Sequence, residues 1–154
     1  MLVETSEAFL KKIEQRGSEV ERQLAFLQRF LTPRSVFLHV GATDCALALQ
    51  AAGYCERVYA YGVEQGLTAG IRLPLNLRLG IAREPVDVAF SEHLETGMLK
   101  TIRNWLKPGG RYFFYVNGEY RQIRRQLKDA GFADSRFPFL LSVFQRQRIA
   151  AGVA

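Results

Sequence analysis

From Ser35 onward the chain alternates short apolar runs with stretches of helical composition, and this alternation restricts the fold more than any other property. Residues 35–40 (SVFLHV), 57–63 (RVYAYGV), 86–91 (VDVAFS) and 111–116 (RYFFYV) are β-branched or aromatic, with little polar alternation. Such runs suit strands covered on both faces. Residues 45–52 and 95–106, which lie between them, have helical composition. The result is a set of β-α-β units, hence a mostly parallel twisted sheet with right-handed crossovers and helices on both faces.

The first thirty residues carry Phe9, Leu10, Ile13, Val20, Leu24, Leu27 and Leu31 at three- and four-residue steps, a helical spacing. Gly17 interrupts them, and Ser18 followed by Glu21 has the form of a capping box. Two N-terminal helices are predicted over residues 1–33, the second ended by Thr32-Pro33. The core is predicted over 34–148, within a single domain spanning 1–154. Its C-terminal part reads as a helix at 119–130, a stop at Gly131, two apolar runs split by Pro138, and an antiparallel last strand at 139–145.

Composition narrows the class of protein. The 154 residues are 48% hydrophobic and 23% charged, enough to fill one core and unlike a disordered segment. No apolar run is long enough to cross a bilayer, and Met1 to Lys12 has acids where a secretory signal would be basic and then apolar. A cytoplasmic location with no membrane partner is the expectation. Cys45 and Cys55 make neither a disulfide framework nor, with His39 and His93, a zinc spacing, so reduced thiols and no metal are expected.

The net charge of +6 is unevenly placed. Residues 1–99 carry 10 basic and 12 acidic side chains, whereas residues 100–154 carry 11 basic and 3 acidic. Arg121, Arg124, Arg125 and Lys128 share the predicted 119–130 helix, and Arg146 and Arg148 follow the last strand. A nucleic acid or another polyanion is one partner such a patch attracts. No RNA-binding motif or aromatic stacking platform accompanies it, which favours a solvated face.

Ligands of parallel α/β sheets bind beyond the carboxyl ends of the strands. Three strand ends are therefore candidates. At the first, His39-Val40-Gly41-Ala42-Thr43-Asp44, Gly41 permits a sharp turn and the amides after it face the start of a helix; Asp44 is also placed to cap that helix without any ligand. At the second, Glu64 follows the 57–63 strand, where a carboxylate accepts hydrogen bonds from ribose hydroxyls or is simply solvated. At the third, Ser91, Glu92 and His93 follow the strand that carries Asp87. Further on, Lys107-Pro108-Gly109-Gly110 has the residues of a type II turn leading a helix into the next strand.

In this order, VFLHVGATDCALAL, YAYGVE, PVDVAFSEHLE and WLKPGGRYFFYV, the chain resembles the class I S-adenosylmethionine-dependent methyltransferases from about Ser35 to Arg148. The resemblance implies a Rossmann-like fold, S-adenosylmethionine as cofactor, and a cofactor site formed by His39, Gly41, Ala42, Thr43, Asp44, Glu64, Ser91 and Glu92. It departs from the pattern at three places. His39 stands where the first strand's acid would be, and Thr43 and Cys45 replace two glycines of the loop. Only 23 residues separate Glu64 from Asp87, where the family fits a helix and a third strand; residues 75–79 are a stub of that strand.

Two functions follow as expectations. One is methyl transfer to an unidentified acceptor, with His93 as candidate base oriented by Glu92 or Glu95; the competing view of His93 is a surface histidine with no catalytic part. The other is a non-catalytic module that has lost the cofactor and binds a protein partner. A homodimer through the shortened edge at 66–80 is a further expectation.

Overall fold

The computed structural model describes residues 6–42, 44–63, 72–142 and 147–154. Seven strands form one sheet in the order β3-β2-β1-β4-β5-β7-β6. They are β1 (Val36–Val40), β2 (Arg57–Tyr61), β3 (Leu77–Leu79), β4 (Val86–Ser91), β5 (Leu106–Tyr115), β6 (Asp134–Ser142) and β7 (Gln147–Val153). β1 to β5 pair in parallel, and β7 runs antiparallel between β5 and β6. The mostly parallel sheet with one antiparallel C-terminal strand agrees with the sequence, but that strand is β7 at 147–153 and not the predicted 139–145, whose described part, 139–142, belongs to β6 and runs in the direction of the parallel strands. The core extends to Val153, beyond the predicted limit of 148, and β6 passes through Pro138, which an edge strand tolerates.

Side chains alternate between two cores, one on each face. α1 (Ser6–Leu27) and α2 (Ala46–Ala51) cover Phe37, Val58, Val88, Phe90 and Phe113 through Val20, Leu24, Leu27 and Leu47. α3 (Leu99–Trp105) and α4 (Tyr120–Asp129) cover Leu38, Tyr59, Ala89, Tyr112 and Phe114 through Leu99, Ile102, Ile123 and Leu127. The strands are apolar throughout because both of their faces are buried.

Two local expectations are corrected. α1 is one 22-residue helix that runs through Gly17, in place of the predicted two. Burial of Val20, Leu24 and Leu27 on one stripe outweighs the cost of about 1 kcal/mol for an interior glycine, so the Ser18-Glu21 pair caps nothing. The Lys107-Pro108-Gly109-Gly110 segment lies inside β5 as a bulge, with the register shifting between Val86↔Leu106 and Val88↔Arg111. Gly109 has φ +81°, and its N–H donates to the carbonyl of Ala154 at 2.7 Å. Asp87 sits near the amino end of β4, where its carboxylate accepts the Val36 N–H at 2.8 Å and pairs with Lys107 at 3.2 Å; it fastens the start of β1 and faces no cleft.

The connection from β3 to β4 is only residues 80–85. Parallel strands are usually joined by a crossover of a dozen residues, commonly a helix. Six residues reach about 20 Å at most, so the chain crosses that face as an extended strap. Ala82 is buried in it, and Glu84 pairs with Arg57 at 2.5 Å.

Candidate functional site

β1 and β4 are neighbours, with His39 opposite Phe90, so their carboxyl ends deliver Asp44 and Glu92 to one place. α1 lies across the same face and supplies Arg16. Its guanidinium donates to Asp44 at 3.1 and 3.2 Å and to Glu92 at 2.9 Å, and approaches Glu19 at 3.4 Å. Two turns further, the fully buried Gln23 donates through Nε2 to Tyr115 Oη at 2.9 Å, and its second N–H is shared between Glu19 at 3.3 Å and Glu92 at 3.4 Å. The helix is thus anchored by polar contacts in the middle of its apolar stripe.

Charge states follow from the surroundings. Burial works to raise the Asp44 carboxyl, but the Arg16 hydrogen bond and the Ala46 N–H at 3.0 Å hold it below its ordinary value. His39, 2% exposed with its ring 5.7 Å from that of Phe90, is lowered to about 4 by burial and is neutral near pH 7. Its Nδ1 has no hydrogen-bond partner among the described residues. Burial also pushes Tyr115 up to about 12.

Ser91 belongs to the opposite face. Its hydroxyl donates to the His93 carbonyl at 2.5 Å and meets Tyr112 Oη at 2.5 Å, while Tyr112 Oη accepts the Glu95 N–H at 3.2 Å. With the serine proton on His93, the phenol proton must point to Ser91 Oγ, so this chain of bonds is complete without a ligand. It places the Glu95 carboxylate over the first loop: a Cβ built on Gly41 would lie 2.5 Å from Glu95 Oε1. Gly41 has φ +67°, and the Ala42 N–H donates to the Tyr61 carbonyl at 3.0 Å.

The His93 carbonyl accepts from Ser91, but the His93 side chain turns to a different cavity. It is exposed and lines a cavity of about 270 Å³ with Thr96, Asn117, Glu119 and Gln122, at the ends of β4 and β5. Thr43 and Glu64 fall outside the described residues. The structure therefore gathers His39, Asp44 and Glu92, sends the Ser91 side chain to the other face, and gives the His93 side chain to a separate cavity. Arg16, Gln23 and Tyr115 were missed by the sequence reading. The signal for the first two is a polar residue at positions 16 and 23 of a stripe that otherwise reads Val20, Leu24, Leu27.

Solved structures with the same architecture include the S-adenosylmethionine-dependent methyltransferase SibL in its apo form, at 15% identity and TM-score 0.69, covering 99% of this chain and 59% of that one. A methyltransferase from Pyrococcus furiosus matches at 19% identity and TM-score 0.63, over 87% of this chain and 82% of that one. The fold is that of the Rossmann-like methyltransferases. The same fold also carries other chemistry: a precorrin 8w decarboxylase from Methanobacterium thermoautotrophicum matches at 21% identity and TM-score 0.54, over 84% of this chain and 86% of that one. This chain spans under three fifths of SibL, so likeness extends to the fold alone. No family model matches the chain, and no curated protein matches it in sequence.

S-Adenosylmethionine, the cofactor that this methyltransferase fold implies, does not fit the described residues as they stand. The cradle over Gly41 holds the Glu95 carboxylate, the Ala42 amide is engaged by Tyr61, and Asp44 and Glu92 both hold Arg16. His39 lies buried at the position of the first-strand acid and offers no carboxylate. No group of three metal-ligating side chains occurs among the described residues, and no described helix is long and apolar enough to cross a membrane.

Proposed function

We propose that this protein is a non-catalytic, methyltransferase-fold module that acts by binding a protein partner. The observation that carries this reading is Arg16. A side chain from α1 bridges the two acids at the mouths of β1 and β4, a place where this architecture otherwise receives ligands. The cleft is filled by the chain's own ion pairs, and the exposed His93 lines a different cavity.

Methyl transfer is the second reading, favoured by the backbone. Gly41 keeps its left-handed turn, and Gly62, at φ +108°, approaches it so closely that a Cβ would lie 3.3 Å from the Gly41 Cα, so the two loops retain the close packing that a nucleotide-sized ligand needs. On this reading His93 is the base and α1 must swing away to admit ligand.

Titration with S-adenosylmethionine and S-adenosylhomocysteine by calorimetry and thermal shift separates the two. The module reading expects neither heat nor shift. A ligand present at 100 times its dissociation constant stabilises a protein by about 2.7 kcal/mol, so a clear upward shift in melting temperature would overturn it.

A further inference from the structure

The strap at 80–85 leaves a cavity of about 570 Å³ against β2 and β3, on the sheet face opposite α1, lined by Arg57, Tyr59, Arg78, Ile81 and Arg83. Three arginines line it, and the nearest carboxylate is that of the neighbouring strap residue Glu84, which is not itself a lining residue. That carboxylate accepts hydrogen bonds from Arg57 at 2.5 Å and from Tyr59 Oη at 2.7 Å, which neutralises one arginine of the three. Nearby Lys107 is balanced by Asp87.

The geometry prepares the remaining charges for an anion. Arg78 is held by donation from Nη1 to the carbonyls of Leu75 and Leu77, which fixes its guanidinium without neutralising it. Arg57 keeps a buried Nε with no hydrogen-bond partner, an N–H that is costly to leave unsatisfied. Ile81, 53% exposed, adds an apolar wall. The volume is that of a small-molecule pocket, and arginine is the side chain whose planar fork suits a phosphate.

We infer that this cavity binds the phosphate group of a small phosphomonoester, with the organic part of the ligand resting on Ile81. The site is independent of the cleft beneath α1 and of the function proposed for it.

Calorimetric titration with adenosine monophosphate, inorganic phosphate and adenosine tests the inference, repeated on Arg78→Ala, Arg83→Ala and Arg83→Lys. One saturable site for the monophosphate is expected, with weaker phosphate binding and none for adenosine. Each alanine variant should weaken the monophosphate about tenfold, the loss of one charge-assisted contact, while Arg83→Lys retains part of it. Unchanged urea midpoints for these exposed positions would show that the fold is intact. Absence of monophosphate binding at millimolar ligand, or binding indifferent to both alanine variants, overturns the inference. So does an oligothymidylate that displaces the monophosphate with affinity rising with its length, since the groove would then be part of a polyanion face.

Discussion

Arg16 and Glu92 are 76 residues apart in sequence and 2.9 Å apart in space, and their contact fixes where α1 lies on the sheet. With Asp44 and Glu19 also within reach, one guanidinium serves three carboxylates. Arg16→Met should therefore cost more than an ordinary surface ion pair, about 1–2 kcal/mol, because it leaves acids facing one another; about a quarter of the side chain is solvent-exposed, which keeps the cost below that of a fully buried pair. A double-mutant cycle with Glu92→Gln in urea should give a favourable coupling of roughly 1 kcal/mol. Strict additivity would mean that the bridge does not hold the helix.

His39 sets an acid limit on stability. Its folded value of about 4 lies below the unfolded 6.5, so in that interval the unfolded chain takes up a proton that the folded chain refuses. Stability should fall as the pH drops from 6.5 towards 4, by roughly 3 kcal/mol in total. Asp44, also depressed, adds to the loss at lower pH as it protonates. His39→Leu keeps the volume and removes the titration. Urea midpoints at about pH 7 and about pH 5 should lie closer together in the variant than in the parent; an equal spread in both proteins would assign the acid sensitivity to other groups.

Gly17 is exposed in the middle of α1, and nothing lies within 4 Å of a Cβ placed on it. Gly17→Ala should stabilise the protein by about 0.5–1 kcal/mol, through lower entropy of the unfolded chain and better helix propensity. Ser18→Ala should be close to neutral. The reverse pattern, with Ser18→Ala costing a cap's worth of stability, would restore the broken helix.

Gly152 of β7 is small for a packing reason. A Cβ there would lie 2.8 Å from Phe132 Cδ1 and 3.2 Å from a methyl of Leu127, both in the core under α4. Gly152→Ala should destabilise by about 1–3 kcal/mol, visible as a lower melting temperature. A melting temperature equal to that of the parent would mean that the Phe132 ring shifts freely.

The sheet was legible because its strands are apolar on both faces, and Val86–Ser91 was placed to the residue. Even the stub at 75–79 appears, as β3. The helix through Gly17 is not legible, because local propensity says nothing about the sheet that α1 buries against. The Pro108-Gly109-Gly110 bulge looked like a turn because φ preference fixes conformation and leaves the surrounding pairing open. At the site, Asp44 and Glu92 are legible as residues after strands and His39 as the penultimate residue of the first strand. Arg16 is not, since a contact spanning 76 positions depends on how the helix docks.

The Arg16 bridge also orders events during folding. Asp44 and Glu92 become neighbours only after β1 and β4 have paired, so the helix has no polar anchor until that pairing exists. Closing so long a loop carries an entropic cost that early local contacts do not meet. The polar anchoring of α1 is therefore expected on the late side of the folding barrier. Substitutions at Arg16 should speed unfolding and leave the folding rate nearly unchanged in stopped-flow kinetics, an effect that would make this one side chain a control on the lifetime of the native state.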